Sequence, residues 1–167
     1  MTVRRATPED AAELTRLRRE MFEAWGSDAS APEWLRFSDD YFRRRLAEAD
    51  FAGFLVDGPD GRPVASGVGW VNEHLPAPHH ISSRRGQIAS MSTTPSARGQ
   101  GHARAIFEAL LGWFAEIGVS RVELRATAMG EPLYRSYGFR EPGGITLTWS
   151  ADGSYGPSWT RAVTPER

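Results

Sequence analysis

Two arginines bracket two glycines in the middle of the chain, in the run Arg98-Gly99-Gln100-Gly101-His102-Ala103-Arg104. These types in this order suit the binding of an anion. Glycine carries no Cβ, so a phosphate can approach the backbone closely at Gly99 and Gly101. The guanidinium groups of Arg98 and Arg104 can add charge-assisted hydrogen bonds. The flanking sequence supplies the rest of such a site. A strand-like run over residues 87–94 stops at Pro95. Beyond the turn, Ala103, Phe107, Leu110, Phe114 and Ile117 recur at spacings of four and three, the period of one helix face. Gly118 stands where a residue tolerating positive φ ends a helix. The first N–H groups of such a helix lack intrahelical acceptors, and its dipole places partial positive charge beside them. Two known phosphate fingerprints fail here. A P-loop requires a lysine, and the chain has none. A dinucleotide-binding turn requires a third small residue where Arg104 stands.

A second constellation lies further on, Tyr134-Arg135-Ser136-Tyr137-Gly138-Phe139. The run from Arg98 to Ala103 resembles the Arg/Gln-x-x-Gly-x-Gly/Ala pyrophosphate loop of the GNAT superfamily, the GCN5-related N-acetyltransferases. The second run resembles the Tyr-x-x-x-Gly-Phe signature found about a strand later in the same family. Both motifs have the family's order and separation. The resemblance covers nearly the whole chain and is specific from about residue 87 to 139. Thr127 and Gly130 depart from it, standing where an Asn and an Ala are frequent.

The resemblance implies an α/β, GNAT-like single domain over residues 1–167, with an irregular tail over 151–167. Its mixed central sheet would have six to seven strands, flanked by helices and splayed between strands 4 and 5, here residues 87–94 and 120–126. Acetyl-CoA, the implied co-substrate, would enter that gap. Backbone groups around Met91, Ser92 and Thr93 would pair with its pantetheine arm. Arg98, Gly99, Gln100, Gly101, His102, Ala103 and Arg104 would hold the pyrophosphate. The implied activity is transfer of an acetyl group to the amine of a small molecule by direct attack on the thioester. Two alternatives stay open: an acyl-CoA-binding sensor without turnover, and an enzyme using another acyl donor.

That chemistry makes three demands. The amine must be neutral, so it needs a proton acceptor or a water chain. The tetrahedral oxyanion needs fixed donors, which a backbone N–H near Thr93 can supply. The departing thiolate needs a proton, and a phenol can give one without being charged at neutral pH. Tyr134 matches the family's general acid, whereas Tyr137 is read as a packed aromatic. For the base, Glu33, Asp39, Asp40 and Glu73 are candidates. The acidic and aromatic residues Glu23, Trp25, Trp34, Phe37, Asp39, Asp40 and Tyr41 suggest a small amine with an apolar body.

These groups need a scaffold. Residues 2–6 read as a strand. Thr7, Pro8 and Asp10 give a helix start, and Ala11, Leu14, Leu17, Arg18 and Met21 carry one face to about Trp25. A break at 26–32 leads to a helix over 37–49, with Ser38 as its cap, Tyr41, Phe42 and Leu46 inward, and Arg43, Arg44 and Arg45 on a solvated face. Strands over 51–56 and 63–71 flank a hairpin turn at 57–61. A polar loop over 72–86 follows, of a length that often covers a site. Its His74, His79 and His80 have no acidic or Cys partner at ligand spacing, so no metal is expected. Val122, Leu124 and Ala126 alternate with charged residues in a half-buried strand. A short helix starts near Pro132, and a closing strand covers 145–149. Tyr155 and Trp159 of the tail would dock on the body or cap the site.

The composition is that of a globular protein, 40% hydrophobic with a formal net charge of -1. Nothing in it favours nucleic acid or a membrane surface as partner. Absence of cysteine excludes a disulfide framework, a thiol nucleophile and Cys-based metal sites. The expected partner is a small-molecule amine, with a homodimer left open, and the expected location is cytoplasmic.

Overall fold

The computed structural model describes residues 2–143 together with Leu147 and Trp149. The closing strand expected over 145–149 falls, those two residues apart, outside the described residues, as does the tail with Tyr155 and Trp159. The elements in order are β1 (Val3–Arg5), a 3-10 turn Pro8–Asp10, α1 (Ala11–Ala24), α2 (Pro32–Arg45), β2 (Phe51–Asp57), β3 (Pro63–Glu73), β4 (Arg84–Thr93), a 3-10 turn Pro95–Ala97, α3 (His102–Glu116), β5 (Val122–Leu124) and α4 (Glu131–Ser136). The five strands lie side by side in chain order, antiparallel except for β4 and β5, which run parallel. A parallel pair needs a crossover, and α3 provides it.

The sheet separates two cores. On one face α3 buries Ile106, Phe107, Leu110, Trp113 and Phe114 over Ala52, Ala65 and Ile88. This stripe is wider than the period predicts, and Ala103 and Ile117 at its ends are only half-buried. Close approach of α3 depends on a strand residue without a side chain: a Cβ on Gly86 would come within 2.6 Å of Phe114. On the other face α1 and α2 bury Leu14, Leu17 and Phe42 against Phe51, Leu55 and Val68. The entry to α1 follows the expected signal. The Asp10 carboxylate accepts the Thr7 N–H at 2.9 Å and a forked pair from Arg4, each 2.9 Å, while Arg4 also donates to Asp57 at 2.7 Å. The Arg4 guanidinium outweighs the desolvation of Asp10 and holds its carboxyl below the usual range.

Helix α2 differs from expectation. It begins at Pro32, five residues before the predicted start at Phe37, because proline in a first turn lacks only an N–H that would be unpaired anyway. Ser38 is therefore no cap but a buried residue inside the helix, and the helix ends at Arg45 rather than Ala49. Phe42 is buried as predicted, whereas Tyr41 is 37% exposed, on a rim instead of inside. The outer arginines form surface pairs, Arg43 with Asp39 at 3.0 Å and Arg44 with Glu48 at 2.9 Å.

The β3–β4 hairpin is longer than predicted. Pairing runs to Glu73 opposite Arg84, so the connecting loop covers only residues 74–83. The charged strand ends are held from across the sheet, Arg85 by Glu123 at 2.8 Å and Arg84 by the Ile117 carbonyl at 2.6 Å.

Two irregularities in β4 shape the molecule. Ser66 pairs with Ser92, and Val68 with Ala89, so Ser90 and Met91 together oppose Gly67. This is a β-bulge, and Ser90 at its centre has φ +55°, the one positive-φ residue other than glycine among those described. The extra residue reverses the strand's phase. Ile88 belongs to the α3-side core, yet the Ser92 hydroxyl, four residues on, donates to the Leu17 carbonyl of α1 at 2.9 Å. In a regular strand residues 88 and 92 would share a face. The second irregularity is the brevity of β5. It pairs with β4 only at Gly86–Val122, Gln87–Glu123 and Ile88–Leu124. Residues 89–93 of β4 have no partner on that edge among the described residues.

Candidate active site

Beyond the last β4–β5 pair the structure opens into a cavity of about 340 Å³. Met91, Ser92 and Thr93 of β4 form one wall. Arg98, Gly99, Gly101, His102 and Ala103 form the next, and Tyr134, Thr127, Met129 and Gly130 the far side. Of the residues expected to bind the coenzyme or protonate its thiolate, Gln100 and Arg104 alone do not line it. The Gln100 side chain turns back to the Ser96 carbonyl at 3.3 Å. The Arg104 guanidinium donates to the Tyr137 hydroxyl at 3.1 Å and lies 5.5 Å from the centre of its ring.

The glycine turn has the backbone geometry an anion site needs. Gly99 (φ +75°) and Gly101 (φ +83°) both occupy the left-handed region, and a Cβ on either would meet nothing within 4 Å. Gly101 precedes the first residue of α3. Among the described residues, the N–H groups of Gly99, Gln100, Gly101, Ala103 and Arg104 donate to no protein acceptor. Arg98 lines the same space, its Nε 3.3 Å from the Thr93 carbonyl. The turn therefore offers a concave row of donors with partial positive charge behind it.

Tyr134 faces this space from α4, and its spacing to Gly138-Phe139 has a structural cause. Gly138 (φ +85°) ends the helix in a Schellman motif. The Phe139 N–H bonds the Tyr134 carbonyl at 3.2 Å, the Gly138 N–H bonds the Arg135 carbonyl at 3.0 Å, and the Tyr134 and Phe139 rings lie 6.5 Å apart. Phe107 of α3 packs 5.1 Å from the Tyr134 ring. The side chain is 7% exposed, and burial pushes its phenol above the ordinary value. Among the described residues its hydroxyl makes no hydrogen bond. It is thus a neutral donor with its proton uncommitted. Tyr137 differs, because its hydroxyl is engaged by both Arg104 and Glu108.

Sequence reasoning missed the contribution of α1, whose Glu20, Met21, Ala24 and Trp25 close the near side. Only the direction of the helix over the sheet places them there. The base candidates Glu33, Asp39, Asp40 and Glu73 line neither this cavity nor a second one of about 270 Å³ between α1, α2 and the sheet. The loop over 74–83 lines neither cavity. It joins the opposite end of β4 from Thr93, so it does not cover the site as its length suggested.

A mixed sheet with an open β4 edge, a glycine turn feeding a helix, and a buried tyrosine facing the same cavity together define an acyltransferase-type fold. The sequence matches the Acetyltransferase (GNAT) family over residues 12–139, and the chain belongs to that family. Its structure is similar to that of a GCN5-related N-acetyltransferase from Ralstonia eutropha JMP134, with 30% identity, a TM-score of 0.74, and coverage of 89% of this chain and 97% of that one. It is also similar to a predicted acetyltransferase from Clostridium acetobutylicum, solved with acetyl-CoA (22% identity, TM-score 0.78, coverage 88% and 95%). A glucosamine-6-phosphate N-acetyltransferase from Arabidopsis thaliana shares the fold at 15% identity (TM-score 0.63, coverage 90% and 98%). No curated protein matches the chain by sequence. Among the described residues no helix is long and apolar enough to cross a membrane.

Proposed function

We propose that the protein transfers the acetyl group of acetyl-CoA to the amine of a small molecule. The observation that carries this reading is the convergence on one cavity of the unpaired β4 edge, the positive-φ glycine turn and the uncommitted Tyr134 hydroxyl. The pyrophosphate would lie on the N–H groups of residues 99–104 and the start of α3, beside Arg98. The pantetheine arm would run along Met91, Ser92 and Thr93 and pair with the edge that β5 leaves open, as an added strand does.

The reaction then follows from the groups present. The neutral amine nitrogen attacks the thioester carbonyl carbon, forming a C–N bond and a tetrahedral oxyanion held by a backbone N–H of the β4 edge near Thr93. Collapse breaks the C–S bond. The sulfur takes the Tyr134 proton and leaves as the thiol, and the phenolate is reprotonated from solvent. The nitrogen sheds its extra proton to water in the cavity or, through that water, to the carboxylate of Glu20, which lines it where none of the acids suggested by the sequence does. Burial suits Tyr134 to this role by keeping it protonated at neutral and mildly alkaline pH.

The test is thiol release from acetyl-CoA across a panel of amines, amino acids, polyamines and antibiotics, with longer acyl-CoA donors in parallel. Amine-dependent release with acetyl-CoA is expected. Tight CoA binding with no release for any amine or donor would instead make the domain an acyl-CoA sensor.

A further inference from the structure

The second cavity, of about 270 Å³, holds a charge with no counter-ion among the described residues. Arg18 of α1 reaches into it and is half-buried. Among the described residues its guanidinium makes no hydrogen bond and no ion pair, and its one recorded contact of that kind is with the Phe22 ring face, 4.8 Å away. Other arginines of α1 are treated differently. Arg16 sits between Glu13 and Glu20, both at 2.6 Å, and Arg19 lies 3.5 Å from Glu23. Among the described residues no carboxylate lines the cavity, and the desolvation that Arg18 suffers lowers its pKa with only Tyr41 opposing. A guanidinium removed from water without an acceptor is unfavourable, and an incoming anion would relieve that cost.

The rest of the cavity is mostly apolar, with Ser38 a small polar residue in its lining. Trp34, Tyr41, Phe51 and Trp70 form its walls, Phe51 and Trp70 stacked at 6.5 Å and nearly parallel. Phe37 and Tyr41, 72% and 37% exposed, form an aromatic rim. Its floor includes Ala89, two residues from Met91 of the active-site cavity and separated from it along β4 by the bulge at Ser90.

We propose that this cavity is the acceptor site, and that Arg18 selects an amine carrying a carboxylate on an apolar or aromatic body, such as an apolar α-amino acid. The assignment rests on the transferase reading for its amine but on Arg18 and the aromatic walls for its acid. A polyamine or other polycation would meet a like charge there, and a sugar would lose hydrogen bonds against walls of bare rings. Acidic residues of this lobe do not argue otherwise, since Glu23 and Asp39 are paired with arginines and line neither cavity.

The experiment is calorimetric titration of the protein, with and without CoA, using L-phenylalanine, L-phenylalaninamide, phenethylamine and spermidine. The same compounds serve as acceptors in the thiol-release assay. Phenylalanine should bind roughly ten- to a hundredfold more tightly than the amide or the bare amine, the scale of a hydrogen-bonded charge pair. Arg18→Gln should erase that preference, and Arg18→Lys should keep part of it, which separates lost charge from a damaged fold. In turnover the loss should fall on KM, with kcat within about threefold. Spermidine or phenylalaninamide binding as well as phenylalanine would overturn the assignment, as would a preference that survives in Arg18→Gln. Release from acceptors without a carboxylate, indifferent to Arg18→Gln, would overturn it and leave the transferase reading standing. An Arg18-dependent preference in binding, with no release from any amine, would uphold Arg18 as a carboxylate-selecting residue but sink the transferase reading and the acceptor role with it.

Discussion

The two cavities that meet β4 on either side of Ser90 are built from different materials. The one toward Tyr134 is built around backbone groups: a strand edge and the N–H groups of Gly99, Gln100, Gly101, Ala103 and Arg104, without partners among the described residues, and two left-handed glycines. Its neighbour is made of side chains, aromatic rings from α2, β2 and β3 around one arginine of α1. Backbone donors at fixed spacing suit a ligand part that does not vary, such as a pyrophosphate. Side-chain walls can be rebuilt one residue at a time, which is how one fold serves many substrates. A single bulge lies between the two along β4, and its extra residue turns alternate β4 side chains from one face of the sheet to the other.

If this division is real, damage to one cavity should leave the other working. The largest effect is expected from Gly101→Asp, which puts a carboxylate into the open space above the turn where the phosphates would lie. CoA affinity should fall by more than about a hundredfold, on the scale of losing charge-assisted contacts and adding repulsion. Phenylalanine binding in the aromatic cavity should be unchanged. Because φ at Gly101 is +83°, part of any effect is strain. Gly101→Asn is the control, since Asn accepts left-handed geometry and carries no charge. A folded Gly101→Asp protein with unaltered CoA affinity would remove the glycine turn from the site.

Next in size is Tyr134→Phe. The ring contacts with Phe107 and Phe139 survive, and only the hydroxyl is lost. Loss of a general acid typically costs about 10²–10⁴-fold in rate, so kcat should fall in or somewhat below that range while CoA affinity changes little. The pH profile gives a second reading. A phenol with a raised pKa stays protonated past its usual value of 10.0, so any basic limb due to Tyr134 should lie above that pH and vanish in Tyr134→Phe. A basic limb near neutrality that persists in the variant would belong to another group, and a wild-type rate in Tyr134→Phe, with chemistry limiting, would end the acid assignment.

The contrast between the cavities also explains what was legible in the sequence. Turn, helix start and the Tyr134–Phe139 run could be read because each obeys a local rule: glycine at positive φ, an amphipathic period, a Schellman cap. The order of helices and strands along the chain followed from the same rules and the family resemblance. The aromatic cavity could not be read, since Arg18, Trp34 and Trp70 come together only through the packing of α1 and α2 on the sheet. The residue list of that lobe suggested an acidic environment, but Glu23 and Asp39 are paired with Arg19 and Arg43, and none of Glu23, Asp39 and Asp40 lines the cavity that Arg18 enters. The bulge was equally hidden. Its positive-φ residue is Ser90, where glycine would have announced it. Pro32 misled in the opposite way, because the same residue breaks a helix interior and opens a first turn.

The smallest predicted effect tests the claim that the first cavity is a backbone site. Arg98 and Arg104 look equivalent in the sequence, flanking the glycines on both sides, but the structure separates them. Arg98 lines the cavity, held only by a 3.3 Å contact to the Thr93 carbonyl. Arg104 is committed to Tyr137, by a 3.1 Å hydrogen bond and by its position over the ring, and Tyr137 is anchored in turn by Glu108. What Arg104 offers the turn is its main-chain N–H, which any residue but proline retains. Arg98→Met should therefore weaken CoA binding by about three- to tenfold, just below the range for hydrogen bonds to a charged group because the site is open to water. Arg104→Met should change it by no more than about twofold, and the gap between the two should narrow as salt is raised. An equal loss in both variants would mean that the Arg104 side chain leaves Tyr137 to meet the ligand, and that the first cavity relies on side chains as the second one does.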